Sequence, residues 1–234
     1  MRVVEIENVK DEAKDVRSFA FNDRLCANAE PGQFIMVWIP GVDEVPMSLS
    51  MLTPMEKRAT VTVEKVGEAT KALHKMKNVD IMGVRGPLGT GYEISRVRKA
   101  MIVGGGTGLA SLAPLVEKLA KKKTYITLML GAKTRSELLF LDRLTSVFGG
   151  KNRIVATTED GSYGLQGLVT TQAENVLEGG ERCEATCACG PERMMQKMFL
   201  LSKKFNVPLQ ASLERFMRCA IGLCGTCVIG KYRV

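Results

Sequence analysis

Two different periods of apolar residues divide the chain. Over residues 1–95 the repeat is that of strands. Val16-Arg-Ser-Phe-Ala-Phe21 places Phe19 and Phe21 on one face, Gln33–Ile39 is a mostly apolar run closed by Pro40-Gly41, and Ala59–Glu64 alternates strictly with Val61 and Val63 facing inward. Turn signals at Glu30–Gly32, Pro40-Gly41 and Arg85–Pro87 separate these runs. Short, evenly spaced strands of this kind predict a small antiparallel barrel.

From about residue 98 the period changes. Ala100–Val103 reads as a short buried strand, followed by a glycine cluster and then Leu109, Leu112, Ala113, Val116, Leu119 and Ala120 at helical spacing. Tyr125–Leu130 is a second strand, and Leu138, Leu141, Leu144 and Phe148 mark the next helix. Arg153–Thr157 and Cys183–Ala188 are further strands, Pro191–Phe205 is a helix with proline at its start, and Leu209–Leu213 is a last strand. Strands alternating with helices predict βαβ units on a parallel sheet. The fold class expected is thus a β barrel plus an α/β domain, divided as residues 1–97, 98–211 and a C-terminal segment 212–234, with no internal repeat or low-complexity tract.

Composition narrows the function classes. Of 234 residues, 45% are hydrophobic and 25% charged, which supports a packed core and excludes wholesale disorder. No apolar run approaches the roughly 18 residues of a membrane span, and Met1-Arg-Val-Val-Glu5 lacks the apolar stretch of a signal peptide. The 7 cysteines, odd in number and unevenly placed, suggest thiol or metal chemistry in a reducing cytoplasm rather than a disulfide framework. A net charge of +8 suits an anionic partner without choosing among nucleic acid, nucleotide and acidic protein.

Four motifs carry candidate chemistry. Gly104-Gly-Gly-Thr-Gly-Leu-Ala-Ser-Leu-Ala-Pro114 lies between a strand and a helix, where glycines let the backbone approach a pyrophosphate; the plain alternative is a tight turn. No acidic residue closes the following strand, and Lys133 and Arg135 stand there instead, able to reach a 2′-phosphate or simply to face solvent. Cys219-Ala-Ile-Gly-Leu-Cys-Gly-Thr-Cys227 has the C-x4-C-x2-C spacing of the plant-type [2Fe–2S] loop. Zinc and free thiols are its alternatives, and zinc more often uses paired C-x2-C hooks. Gly86-Pro-Leu-Gly-Thr-Gly-Tyr92 can be a rigid turn ending the barrel. Cys189-Gly-Pro-Glu-Arg-Met194 joins the last inner strand to a helix at the ligand-binding edge of such a sheet, or Cys189 is an ordinary buried small residue. His74, the single histidine, is expected in solvent, Lys121–Lys123 to end a helix, and the 13 methionines to fill core.

In this order the motifs resemble the ferredoxin-reductase-like flavoproteins, and among them the electron-transfer subunits of dihydroorotate dehydrogenase B, over essentially the whole chain. Val45–Ser48, Val66–Thr70, Gly86–Tyr92, Gly104–Pro114, Glu159–Gly164, Cys189–Pro191 and Ser212–Cys219 carry the likeness. The resemblance implies that the barrel binds FAD, with Val45, Pro46, Met47 and Ser48 on the isoalloxazine edge, Val63, Glu64 and Lys65 along the flavin, and Ala69 and Thr70 at the pyrophosphate. Val45 stands where the family often has arginine. It implies NAD(H) on the second domain, with Gly105, Gly106 and Gly108 near the pyrophosphate and Cys189, Gly190 and Pro191 near the nicotinamide. Cys219, Cys224 and Cys227 would be three of four cluster ligands. Only Val228–Val234 follow them, and the family's fourth cysteine comes after a short hairpin, so the ending at Val234 reads as truncation just before it.

The implied role is transfer of electrons from the FMN of a separate dihydroorotate dehydrogenase catalytic subunit, through the cluster and FAD, to NAD+, in pyrimidine biosynthesis. No catalytic acid–base residue is needed in this chain. A heterotetramer with two copies of each subunit is implied, with the C-terminal segment as docking site, no nucleic acid and no membrane. Three alternatives stand beside it. The flavin/NAD(P) subunit of a soluble hydrogenase, sulfide dehydrogenase or transhydrogenase-like complex shares these motifs. A basic nucleic-acid module with a zinc knuckle would need interleaved aromatics, yet these are 6% of the chain. A scaffold that has lost its cofactors would account for Val45 and the missing fourth cysteine.

Overall fold

The computed structural model describes every residue except Lys123 and Lys151, and for Arg233 the backbone alone. In the first compact unit, Met1–Gly91 with Glu214–Val234, the strands are β1 (Arg2–Ala13), β2 (Val16–Asn22), β3 (Phe34–Ile39), β4 (Asp43–Thr53), β5 (Arg58–Glu64) and β6 (Ile81–Leu88). They close into a barrel in the order β1-β2-β5-β4-β3-β6, every neighbouring pair antiparallel. Alternation decides what is inside: Phe19, Phe21, Val61 and Val63 are buried in one cluster with Ile35, Val37, Leu49 and Val84. The hydroxyls beside them pair with each other, Ser18 with Thr62 at 2.8 Å and Thr62 with Ser50 at 2.7 Å, which keeps buried polar atoms satisfied.

Two short helices belong to this unit, α1 (Arg24–Ala27) and α2 (Glu68–Leu73). Asp23 caps α1 by accepting from the Cys26 amide at 2.8 Å, and its carboxylate is gripped by Arg2 at 2.5 and 3.1 Å. His74, expected in solvent, is instead buried: its Nε2 lies 2.9 Å from the Val63 carbonyl and its ring meets Phe19 edge-on. A carbonyl only accepts, so Nε2 carries the proton. The lysines around His74 misled the expectation, since they occupy the outer face of the turn whose inner face it fills.

The second unit, Tyr92–Leu213, contains β7 (Lys99–Gly105), α3 (Leu109–Lys121), β8 (Tyr125–Ala132), α4 (Leu141–Ser146), β9 (Arg153–Thr158), β10 (Leu165–Gln166), α5 (Val169–Glu178), β11 (Ala185–Cys189), α6 (Glu192–Phe205) and β12 (Leu209–Ser212). The sheet order is β10-β9-β8-β7-β11-β12, all parallel. The chain adds strands outward on one side of β7 and then returns to lay β11 on the other, so the order reverses between β7 and β11. Lys121 ends α3 as expected, and Lys123 lies outside the described residues. The helix expected over Leu138–Phe148 shrinks to Leu141–Ser146, because Phe140 takes a left-handed conformation (φ 57°) and Leu139 and Phe140 fill the interior from the preceding loop. Helix α5 was not read from the sequence, as only Val169, Thr170, Ala173 and Leu177 of it are buried. No helix among the described residues is long and apolar enough to cross a membrane.

Candidate functional site

The glycine loop and the Cys189 loop meet at the reversal point of the parallel sheet. Gly104 pairs with Cys189 across β7 and β11, so both loops leave the same carboxyl edge, where open α/β sheets bind ligands. A β-carbon on Gly108 would lie 2.6 Å from the Cys189 carbonyl, and one on Gly105 would lie 2.7 Å from Met194 Sδ and 3.0 Å from Pro191 Cδ. Gly106 is the opposite case: it has φ +53° and nothing within 4 Å of its missing side chain. These residues therefore form a cradle closed beneath Gly105 and Gly108 and open above Gly106, at the start of α3, where amides and helix dipole favour a phosphate. Beside it stands the Tyr92 hydroxyl, buried and without a hydrogen-bond partner among the described residues. Burial pushes its phenol above the usual range, with Cys189 adding to the effect. Lys133 is exposed; Arg135 lies over the Tyr163 ring at 4.6 Å, and its amide donates to Ser162 at 2.8 Å.

In the barrel unit, Val45, Pro46, Met47 and Ser48 are half-buried on β4, opposite Val37, Met36, Ile35 and Phe34 of β3. An accessible edge of this kind can take one side of a flat ring. The side chain of Val63 is in the barrel core, Glu64 ends β5 exposed, and Lys65 pairs with Asp15. Ala69 and Thr70 lie on α2, where the Thr70 hydroxyl accepts from the amides of Val66 and Gly67 at 2.9 and 3.0 Å and so shapes the turn itself.

The cysteine loop lies between β12 and a terminal hairpin of β13 (Val228–Ile229) and β14 (Tyr232–Arg233). Gly222 and Gly225 have φ of 78° and 75°, and Ala220 of 57°, which curl the backbone around Cys219. The amides of Leu223 and Cys224 point at Cys219 Sγ, at 3.3 and 3.4 Å, and Cys224 Sγ lies 3.0 Å from the Thr226 hydroxyl. Donors aimed at sulfur favour thiolate. Backbone amides hold the Cys219 thiol below its ordinary range, and the Thr226 hydroxyl and amide bring Cys224 down to about 6. Cys227 is buried. Among the described residues no three His, Cys, Asp or Glu side chains are arranged to hold a single ion. The loop thus offers two cysteines whose thiols are lowered, Cys219 and Cys224, and a third, Cys227, at the spacing of a plant-type cluster loop. By contrast Cys187 and Cys26 are pushed up to about 12 and Cys183 to about 11, in each case chiefly by burial.

Two residues at this loop were missed in the sequence. Arg85 of β6 donates from Nη1 to the Cys219 carbonyl at 2.9 Å, and from Nε and Nη2 to Glu44 at 3.0 and 2.9 Å. Arg85 was read only as the start of a turn signal and Glu44 stands in no motif, and only strand pairing brings them together.

A closed six-stranded barrel and a glycine-looped parallel sheet in one chain define the class of ferredoxin-reductase-like flavoproteins. The family described as "Oxidoreductase NAD-binding domain" matches residues 102–199. The chain is 41% identical over 233 residues to a protein of Thermococcus kodakarensis, covering 100% of this chain and 92% of that one. It is 39% identical over 227 residues to one of Methanocaldococcus jannaschii, covering 97% and 83%. Both are named "Probable dihydroorotate dehydrogenase B (NAD(+)), electron transfer subunit". Among solved structures, a chain of an NADH-dependent reduced ferredoxin-NADP oxidoreductase superposes with a TM-score of 0.86 at 30% identity, covering 97% of this chain and 82% of that one. The ferredoxin reductase of a carbazole 1,9a-dioxygenase, at 18% identity and TM-score 0.74 over 90% of this chain and 68% of that one, shares the fold. The chain belongs to the family of dihydroorotate dehydrogenase B electron transfer subunits, and is an oxidoreductase of the flavin- and NAD-dependent kind.

Proposed function

We propose that this chain carries electrons from the FMN of a dihydroorotate dehydrogenase catalytic subunit to NAD+, by way of a [2Fe–2S] cluster and FAD that it holds itself. The observation that carries the reading is the cysteine loop, whose amides and threonine hydroxyl are already turned toward Cys219 and Cys224. When bound, the flavin would exchange electrons in pairs with nicotinamide and singly with the cluster. The chain's own residues bind and orient. Val45, Pro46, Met47 and Ser48 would face the flavin ring, Val63, Glu64 and Lys65 would run along it, and Ala69 and Thr70 at the head of α2 would meet its pyrophosphate. Gly105, Gly106 and Gly108 would cradle the NAD pyrophosphate, with Cys189, Gly190 and Pro191 beside the nicotinamide. Cys219, Cys224 and Cys227 would be cluster thiolates.

The C-terminal segment supports the docking proposal. Phe216, Leu223 and Tyr232 are 67%, 81% and 65% exposed around the cysteine loop, with Arg218 and Lys231 over the two rings. An apolar patch with a basic rim suits a protein partner of acidic rim, here the FMN-containing catalytic subunit, in a cytoplasmic assembly of two copies of each. A second reading is favoured by the 30% identity to the NADH-dependent reduced ferredoxin-NADP oxidoreductase chain and by the basic Lys133 and Arg135: the same relay serving another complex and NADP.

The test is the visible spectrum of the protein purified without oxygen, before and after NADH. A flavin band with a broad reddish shoulder, both bleached by NADH, is expected; no colour overturns the electron-transfer reading. Fast bleaching by NADPH and slow bleaching by NADH reverses the choice of nucleotide. Adding the FMN-containing subunit should then make NAD+ reduction depend on dihydroorotate, and failure to do so moves the chain to the second reading.

A further inference from the structure

Between Ser212, where β12 ends, and Val228, where β13 begins, the chain has no strand or helix to hold the cysteine loop in place. Backbone hydrogen bonds hold its end, from the Val228 amide to the Gly225 carbonyl at 3.3 Å and from the Val234 amide to the Cys227 carbonyl at 3.2 Å, and side chains hold its beginning. Met217 is one anchor, buried in the barrel's unit. Arg85 is another, and its geometry is unusually constrained. Glu44 on β4 and Arg85 on β6 bracket β3 in the barrel, opposite Trp38 and Met36 respectively. The carboxylate takes two parallel donors of the guanidinium, at 3.0 and 2.9 Å, which fixes its plane and leaves Nη1 directed at the Cys219 carbonyl, 2.9 Å away. Glu44 immediately precedes Val45–Ser48, so one ion pair joins the strand of the flavin-edge residues to the first cysteine of the loop.

We propose that Arg85, held by Glu44, is the positioning residue of the cysteine loop and places a permanent positive charge beside the Cys219 end of the iron–sulfur site. The inference rests on the electron-transfer reading above. A guanidinium does not lose its proton at any relevant pH, so the charge is constant. Reduction of a [2Fe–2S] cluster adds one negative charge, which a nearby cation stabilises, and cluster potential follows net charge, hydrogen bonding and exposure. Arg85 therefore raises the potential by its charge and narrows the range of cluster environments by its hydrogen bond.

The experiment is a reductive titration of the whole protein with its cofactors, followed by electron paramagnetic resonance, on wild type, Arg85→Leu, Arg85→Lys, Glu44→Gln and Arg58→Leu. Arg58 pairs with Glu7 and Glu56 from β5, so its removal deletes the same charge without touching the loop. Arg85→Leu should shift the midpoint potential downward and broaden the signal. Arg85→Lys should recover the potential but not the narrow line, and Glu44→Gln, which deletes the negative charge beside the guanidinium, should broaden the line and shift the potential upward. Arg58→Leu should match wild type. An unshifted potential in Arg85→Leu, or an equal shift in Arg58→Leu, overturns the inference while leaving the electron-transfer reading intact. If Arg85→Leu does not accumulate folded, Arg85→Lys and Glu44→Gln decide, and wild-type line shapes in both overturn it. Absence of any cluster signal from wild type overturns the cluster in the proposed relay and this inference with it.

Discussion

Gly108 rests on the backbone of Cys189: a β-carbon at position 108 would come within 2.6 Å of the Cys189 carbonyl carbon and oxygen and of the Gly190 amide nitrogen. Backbone cannot move aside as a flexible side chain can. The contact locks together the two loops that leave the sheet where its strand order reverses, and it holds the space above Gly106 open.

Gly108→Ala should accordingly damage the nucleotide cradle. Forcing the two loops apart is an overpacking change, worth about 1–3 kcal/mol. If that distortion falls on the cradle, NADH affinity drops on the order of 10-fold. Titration of NADH against protein fluorescence would measure it, and unchanged affinity would show that the cradle is not the nucleotide site.

Replacing a cluster thiolate should separate the two chromophores. Cys224→Ser should lose the reddish shoulder and keep the flavin band, while Cys187→Ala, in the core of the parallel sheet, should keep both. Equal spectra for Cys224→Ser and wild type would remove Cys224 from the cluster.

The buried His74 supports the barrel. His74→Phe keeps a ring against Phe19 but strips the Val63 carbonyl of its donor. The cost should be about 1–3 kcal/mol, with melting lowered by roughly 2–4 °C for each kcal/mol. Calorimetry checks this, and a melting point equal to wild type would mean that water replaces the imidazole.

Asp23 should make barrel stability depend on acid. Burial works to raise its carboxyl, but the hydrogen bonds from Arg2 and the Cys26 amide prevail and leave it below the ordinary carboxylate range. A depressed folded value means that the stabilisation is fully present above the unfolded pKa near 3.9 and is lost as pH falls through the folded value. Asp23→Asn keeps the helix cap and deletes the charge. Its deficit in urea unfolding should be constant from neutral pH down to about 4 and shrink below that. A deficit that stays constant to lower pH would assign it to packing.

Much of this was legible in the order of residues because periodicity is local. Phe19 and Phe21, and Val61 and Val63, face the barrel core as their alternation requires. The helical spacing after Gly108 became α3. His74 and the residues around Phe140 were not legible. Their burial depends on which face of a turn packs inward, and neighbouring lysines or leucines do not encode that.

The sequence by itself determined the architecture, the glycine loop, the cysteine spacing and hence the family, because each is a matter of residue type at fixed separation. Only the tertiary structure decided that Gly108 touches Cys189, that the Tyr92 hydroxyl is buried near Cys189, and that Arg85 joins Glu44 to Cys219. Those relationships link residues 41, 81, 97 or 134 positions apart in the chain. Strand pairing and sheet order create such distances, and no local pattern of side chains can carry them.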